Sequence, residues 1–153
     1  MNGFDMEKEN SITFIINGEP FGKKRPRATS RGGFARIHND PENERYELKV
    51  INAFQSKYGK SVETYFDKDC YLEAEIVSYY SIPKSFSKSK REKALGIVNL
   101  IRPTKKPDLD NIAKSVLDAL NNIVYNDDSQ IIKLVISKWY AETPYTSVEI
   151  RKV

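Results

Sequence analysis

The carboxylates Asp108, Asp110, Asp118, Asp127 and Asp128 lie between positions 108 and 128 of a 153-residue chain whose net charge is +4. Asp108 and Asp110 stand two apart at the start of a helical pattern, and a helix N-terminus tolerates negative charge. Asp127 and Asp128 follow that pattern and an apolar run that can return the chain to where the helix begins. We therefore expect three or four carboxylates to converge, although Asp110 taken alone is also explained as a helix cap.

Converging carboxylates require a cation, because like charges repel. Oxygen ligands without His or Cys favour a hard ion such as Mg²⁺, with Mn²⁺ as a natural substitute. Lys114 lies one helical turn beyond Asp110 on the same face. It can form an ordinary i,i+4 ion pair, or it can stabilise charge that develops on phosphoryl oxygens. Asp118, another turn along, is interpreted as an ion-pair partner of Lys114.

The composition excludes other catalytic chemistries. Cys70 is the only cysteine, so intramolecular disulfides and multi-thiolate zinc sites are excluded. His38 is the only histidine, so any catalytic or metal site that needs more than one imidazole is excluded as well. The chain has no apolar run near the roughly 18 residues that a membrane span needs, and its N-terminus does not resemble a signal peptide. We expect a cytoplasmic protein with no membrane contact and no small-molecule cofactor.

Positive charge is concentrated in two segments. Residues 22–36 hold six basic side chains and no acid, and residues 84–106 hold eight against Glu92 alone. Segregated charge of this kind is typical of polyanion binding, although two solvated loops would also explain it. The residues predicted to bind DNA are Lys23, Lys24, Arg25, Arg27, Arg31, Arg36, Lys84, Lys88, Lys90, Arg91, Arg102, Lys105 and Lys106.

The elements that must position these residues form one domain, residues 11–153, after a flexible arm at 1–10. Apolar patterning predicts strands at 11–16, 70–80, 131–139 and 146–150, a short strand at 97–101, and helices at 40–59, from Ser87 to Gly96, and from about 110. Residues 22–36 are interpreted as a loop. Residues 131–139 are apolar on both pleat faces, which predicts a strand buried on both sides.

The last of these helices carries an apolar stripe of Ile112, Val116, Ala119, Leu120 and Ile123. On its opposite side lie Asp110, Lys114, Leu117 and Asn121. The element order β-α-β-α-(β)-α-β-β, with antiparallel strands, predicts an α+β fold with one mixed or antiparallel sheet.

The sequence resembles the RusA family of phage and bacterial Holliday-junction resolvases. The matching residues are Lys106-Pro107-Asp108-Leu109-Asp110-Asn111, Lys114, Leu117-Asp118-Ala119-Leu120 and Asp127-Asp128-Ser129-Gln130-Ile131. The resemblance implies catalytic roles for Asp108, Asp110, Asp128 and Lys114, with Asp127 as the adjacent acidic position. It also implies a homodimer, Mg²⁺-dependent cleavage and binding to four-way DNA junctions.

The leading hypothesis is therefore a metal-dependent, structure-selective endonuclease that acts in DNA recombination and repair, with Asp108, Asp110, Asp127 and Asp128 as metal ligands. One rival is a non-catalytic nucleic-acid-binding protein of the same fold. Another is a partner-binding domain whose carboxylates are only helix caps and ion pairs.

Overall fold

The computed structural model describes residues 8–153, apart from the side chains of Arg27, Thr29, Arg31, Phe34 and Arg36. The predicted N-terminal arm therefore falls largely outside the described residues. Its last residues contact the domain: the Lys152 N–H donates to Asn10 O at 2.7 Å, and the Glu9 N–H donates to the Tyr65 hydroxyl at 3.1 Å.

One four-stranded sheet carries the fold. The strands are β1 (Ser11–Asn17), β2 (Arg27–Arg31), β3 (Phe34–His38), β4 (Leu72–Ser81), β5 (Ile131–Ala141) and β6 (Tyr145–Lys152), and the helices are α1 (Pro41–Tyr58), α2 (Lys88–Ala94) and α3 (Leu109–Ala119). The sheet order is β1-β6-β4-β5, and β2 pairs with β3 in a separate hairpin. Only β4 and β5 run parallel within the sheet. The predicted single-domain α+β fold with a mixed sheet is confirmed.

The core lies between one face of the sheet and the helices α1 and α3. Burial alternates along β1, where Ile12, Phe14 and Ile16 point inward and their neighbours point to solvent, as a strand with one wet face requires. From the helix side, Val50 of α1 and Ile112 of α3 are fully buried. This packing fixes α3, and with it the predicted site, against the sheet.

The predicted ends of two helices are confirmed. Asp40 caps α1 by accepting the Glu42 N–H at 2.9 Å, Pro41 is the first helical residue, and Gly59 ends the helix at a φ of 84°. Ser87 caps α2, with Lys90 N–H as donor. Caps of this kind satisfy backbone N–H groups that have no partner inside a helix.

Two predictions about the basic segments are wrong. Residues 22–36 do not form a continuous loop, because 27–38 fold into the hairpin of β2 and β3, in which Gly32 and Gly33 supply the positive φ of the turn. Residues 97–101 do not form a strand. Within the described residues, the segment has no strand partner in the sheet whose hydrogen bonds would stabilise an extended conformation. Most of its apolar side chains remain exposed, including Ile97 at 68%.

The prediction that residues 131–139 are buried on both sides is also wrong. β5 is an edge strand that pairs with β4 alone among the described strands, and Ile132 is 58% exposed and Val135 46% exposed. The opposite edge, β1, is covered by α1. There the Tyr58 hydroxyl accepts the Thr13 N–H at 2.8 Å and donates to Thr13 O at 3.1 Å.

α3 is shorter and more buried than its sequence pattern predicts. It ends at Ala119, so Ile123 lies beyond the helix. Leu117, predicted on the polar side, is only 8% exposed, because the following segment folds back against the helix and the Tyr125 hydroxyl donates to Leu117 O at 2.6 Å. Among the helices of residues 8–153, none has both the length and the hydropathy to cross a membrane.

Candidate active site

Asp108, Asp110 and Lys114 occupy the solvent-facing side of α3. Asp108 is the N-cap residue by backbone conformation, but its side chain accepts no capping hydrogen bond, and Asp110 lies in the first turn. Both carboxylates are exposed and have no side-chain hydrogen bond or ion pair within residues 8–153. Buried Ile112 and Val116 hold the helix from below. The backbone that carries Asp108 and Asp110 is therefore anchored to the core, and both carboxylates are available to a ligand.

Tyr80 of β4 holds the turn that precedes Asp108. Its hydroxyl donates to Pro107 O at 2.7 Å, and the residue is 1% exposed. Burial raises the pKa of Tyr80 to about 12, and the negative charges of Asp108 and Glu19 add to the shift. The hydroxyl consequently remains a proton donor at neutral pH. The sequence analysis missed Tyr80, because an inward-facing position in an alternating strand predicts only core packing for its side chain.

Residues 20–24, called the strap here, cross the start of α3. The Lys23 N–H donates to Asn111 O at 3.3 Å, and the Ser115 hydroxyl donates to Phe21 O at 2.7 Å. Buried Asn43 of α1 holds the backbone of Lys24 from both sides, accepting its N–H and donating to its carbonyl, each at 2.8 Å. The strap therefore ties α1 to α3.

Gly22 permits this crossing. A Cβ atom there would lie 2.7 Å from Pro107 Cβ and 3.3 Å from Asn111 Cβ. The 2.7 Å distance is shorter than real Cβ atoms make and the 3.3 Å distance is tight, so any other residue at position 22 would shift the strap relative to Pro107.

Asp118 joins the strap to the site. Its Oδ2 lies 2.6 Å from Lys23 Nζ and 3.6 Å from Lys114 Nζ. The predicted Lys114–Asp118 ion pair is confirmed, but the shorter contact with Lys23 spans 95 residues of sequence and no local pattern indicates it. Burial opposes ionisation of Asp118, but the two lysines outweigh it and hold the pKa of that carboxyl below its usual value.

Asp127 and Asp128 have different surroundings. Asp127 caps a 3-10 turn, Asp128–Gln130, by accepting the Ser129 N–H at 3.2 Å. The Asp128 N–H donates to Asn121 Oδ1 at 2.9 Å, and the Asp128 carboxyl reaches Asp118. Burial raises the pKa of Asp128, and the hydrogen bond and negative charge of Asp118 add to the shift.

The carboxylates form two acidic pairs by position along α3. Asp108 and Asp110 lie at the start of the helix, while Asp118 lies near its end and interacts with Asp128; the rise of the helix separates the backbones of Asp110 and Asp118 by about 12 Å along its axis. Two ligands of one Mg²⁺ ion lie within roughly 4 Å of each other, given bonds of about 2.1 Å. Within residues 8–153, no three His, Cys, Asp or Glu side chains are grouped to hold a metal ion. The donors suit a hard cation in kind, and in this conformation they are divided between two places.

The predicted DNA-binding residues of the second basic segment are exposed or half-buried near the carboxyl ends of β4 and β5. Lys90 Nζ lies 4.1 Å from the ring centre of Phe86. The Arg102 guanidinium stacks 3.8 Å over Trp139, and its Nε donates to Lys138 O at 2.7 Å. Lys138, which sequence reasoning missed, donates to Lys105 O at 2.8 Å. Lys84, Lys88, Arg91 and Lys106 complete the segment.

In the first basic segment, two of the six cations already have partners. Lys23 is paired with Asp118, and Lys24 is paired with Glu42. Arg25 is exposed. Arg27, Arg31 and Arg36 belong to the hairpin, but their side chains lie outside the description.

Asp118→Asn and Asp128→Asn should shift the melting temperature in opposite directions at pH 7 in chelator. A lowered folded-state pKa means that the Asp118 charge stabilises the fold above its unfolded pKa, and that this contribution is lost as the pH falls. A raised pKa means that ionised Asp128 destabilises the fold at neutral pH. We expect Asp118→Asn to melt at a lower temperature than the wild type, and Asp128→Asn at a higher one, by calorimetry. Shifts of the same sign would contradict this electrostatic assignment.

Comparison with known proteins gives two matches. Residues 17–151 match the family described as Endodeoxyribonuclease RusA. A protein of Bacillus subtilis (strain 168), named as the uncharacterized protein YqaN, is 38% identical over 143 residues, which cover 93% of this chain and 96% of that protein.

Proposed function

Because this chain belongs to the RusA family of endodeoxyribonucleases, we propose that it resolves Holliday (four-way) DNA junctions by paired nicks, in DNA recombination and repair in the cytoplasm of a bacterial or phage-infected cell. The observation that carries the proposal is the pair Asp108 and Asp110, two exposed carboxylates that have no side-chain hydrogen bond or ion pair within residues 8–153, at a helix start anchored to the core. The cations Lys106 and Lys114 lie near them in the chain. Two unpaired anions beside cations that suit a polyanion favour reaction at a phosphate over passive binding.

We also propose that cleavage requires Mg²⁺, for which Mn²⁺ substitutes. The oxygen-only donors Asp108, Asp110 and Asp128, with Asp127 beside them, support a hard cation. When bound, the ion supplies an activated water and neutralises charge on the phosphate. For Asp128 to share one ion with the pair at the start of α3, its carboxyl would have to move toward that pair. Without that movement, Asp128 would bind a second ion.

Lys114 is positioned to act on the phosphate. Its side chain is 62% exposed, and its 3.6 Å contact with Asp118 is longer than the competing contact of Lys23. Lys23 therefore carries most of the neutralisation of Asp118, and Lys114 remains able to turn toward a substrate. An ammonium group there stabilises charge on the phosphoryl oxygens or on the leaving oxygen.

The edge strand β5 supports an isologous homodimer. The strand carries the exposed apolar residues Ile132 and Val135 and has no second strand partner within residues 8–153, and an unpaired strand edge favours pairing with another chain. Arg102 binds the Lys138 carbonyl near the end of β5, which leaves the first part of the strand for such pairing. Antiparallel pairing of β5 with its copy about a two-fold axis would place both α3 helices on the same side of a continuous sheet. One site per subunit then matches the near two-fold symmetry of a four-way junction.

The test is incubation with a synthetic mobile four-way junction and Mg²⁺, with both nicks mapped on a denaturing gel. We expect symmetric nicks in opposed strands, and no product in chelator. Cleavage of linear duplex at the same rate would contradict junction selectivity, and binding without nicking would support the non-catalytic alternative.

The basic hairpin makes a separate prediction about affinity. Each phosphate that a protein neutralises adds about −0.9 to the slope of log K against log salt. Replacing Arg25, Arg27 and Arg31 by Gln should therefore reduce the slope for junction binding by about 2–3, measured by gel shift across a salt series. The charge-matched control replaces exposed Lys60, Lys68 and Lys152, which lie outside both basic segments. An unchanged slope in the hairpin variant would show that this hairpin does not bind DNA.

A further inference from the structure

A cleft of about 410 Å³ opens beside Asp108, between the strap and the start of α3. Its walls include Phe21, Lys24, Glu42, Lys106, Pro107 and Asn111, and Lys24 is paired with Glu42. The volume lies in the lower part of the range for small-ligand sites, which suits a group the size of a single nucleotide. The occupant of this cleft would lie directly against one of the two exposed carboxylates.

The walls suit a nucleobase better than a bare phosphate. Phe21 is held in place by stacking on Tyr46, with ring centres 4.8 Å apart and planes at 27°. Aromatic rings stack on bases of any sequence, and the saturated ring of Pro107 adds an apolar surface for van der Waals contact. At the rim, Lys106 is exposed and has no ion pair within residues 8–153, so it is available to a flanking phosphate.

Asn111 adds a group that can distinguish one base from another. Its backbone carbonyl accepts the Lys23 N–H, which fixes the residue, while its side-chain amide has no hydrogen-bond partner within residues 8–153. A carboxamide offers one acceptor and two donor hydrogens in a plane. That pattern can form paired hydrogen bonds with one base edge and leave another base unsatisfied.

We propose that this cleft receives one unstacked nucleobase next to the scissile phosphate, and that the side-chain amide of Asn111 selects which base is accepted. The inference rests on the proposed function, because a four-way crossover interrupts base stacking and so reduces the cost of extruding a base. The identity of the base in the cleft then determines where the strand is cut, while the two basic segments bind the phosphates of the junction arms independently of sequence.

The experiment uses the full chain and a set of four-way junctions that carry all dinucleotides at the crossover, with cleavage rates read by sequencing the products. We expect the wild type to prefer some dinucleotides. Asn111→Ala should reduce the ratio of best to worst by about tenfold or more, which is the discrimination typical of one bidentate contact. Junction affinity should change by less than about threefold, because no charge is lost.

Two further variants sharpen the result. Asn111→Gln moves the amide by one methylene and should change the order of preferred dinucleotides. Asn52→Ala removes an exposed amide elsewhere, on α1, and should leave the preference unchanged. Thermal melting of each variant confirms that the fold persists.

Retention of the wild-type preference by folded Asn111→Ala, or equal cleavage of all dinucleotides by the wild type, would overturn this inference and leave the proposed function intact. Failure of the wild type to cut any junction would instead remove the proposed function, and this inference with it.

Discussion

Asp110→Asn should abolish junction cleavage and leave junction binding intact. The variant keeps the shape of the side chain but removes the negative charge that a cation beside the phosphate requires. Because Asp110 is exposed and its side chain has no hydrogen bond or ion pair in the part of the chain that the structure describes, its replacement should not disturb the fold. We expect the cleavage rate to fall by about 10²–10³-fold or more, with equal or slightly tighter binding by gel shift, since one repulsion against the DNA is removed.

The matched control for this prediction is Asp69→Asn. Asp69 is exposed and lies outside the two acidic pairs, so the variant has the same net charge as Asp110→Asn without altering the start of α3. It should cut at the wild-type rate. Cleavage by Asp110→Asn within a few-fold of wild type would reject the assignment of Asp110, and loss of binding would move its role from chemistry to DNA contact.

Ile132→Glu should convert the proposed homodimer into a monomer. The residue lies on the edge strand β5 and is 58% exposed in the single chain, so a charge there costs little in the monomer but would be desolvated within the proposed paired edge. Burying a charge without a partner is destabilising. We expect sedimentation to give a dimer for the wild type and a monomer for the variant, together with loss of coordinated nicking.

Val62→Glu controls for the introduced charge. Val62 is 94% exposed and lies outside the sheet, so this variant should remain a dimer and nick in pairs. A dimer that persists in Ile132→Glu at the same dissociation constant would place the interface elsewhere. A wild type that sediments as a monomer at all concentrations would contradict the dimer itself.

The sequence predicts the elements whose signals are local. Asp40, Pro41 and Gly59 mark both ends of α1 within a few residues, and the period of two in β1 and β4 matches the observed burial. The prediction that β5 is buried on both sides is wrong, because an apolar run indicates hydrophobicity but not the position of a strand in the sheet. Whether such a strand is central or at an edge depends on which strands pair with it, and here β6 pairs with β4 and β1 instead of β5.

The candidate site divides in the same way. The shared side of Asp110 and Lys114 on α3 follows from their i,i+4 spacing, and Asp108 precedes the helix as its N-cap residue. The prediction that Asp128 lies near Asp108 and Asp110 depends on the path of the chain after α3, which no local sequence pattern determines. In the structure the Asp128 carboxyl interacts with Asp118. The contact between Lys23 and Asp118 depends on how the strap packs across α3, which the sequence does not show. Tyr80 holds the turn before Asp108 through a hydrogen bond to the backbone carbonyl of Pro107, and a backbone partner leaves no signal in the sequence.

The covered edge of β1 limits how large an assembly can become. Within residues 8–153, Tyr58 and Lys57 of α1 occupy the backbone N–H and carbonyl of Thr13, so a strand that paired with β1 there would have to displace the end of α1. In the proposed dimer each chain uses its β5 edge once, and further growth by edge pairing would need the obstructed β1 edge. A chain with both edges unobstructed could extend into a fibre, and the helix that packs beside β1 reduces that hazard.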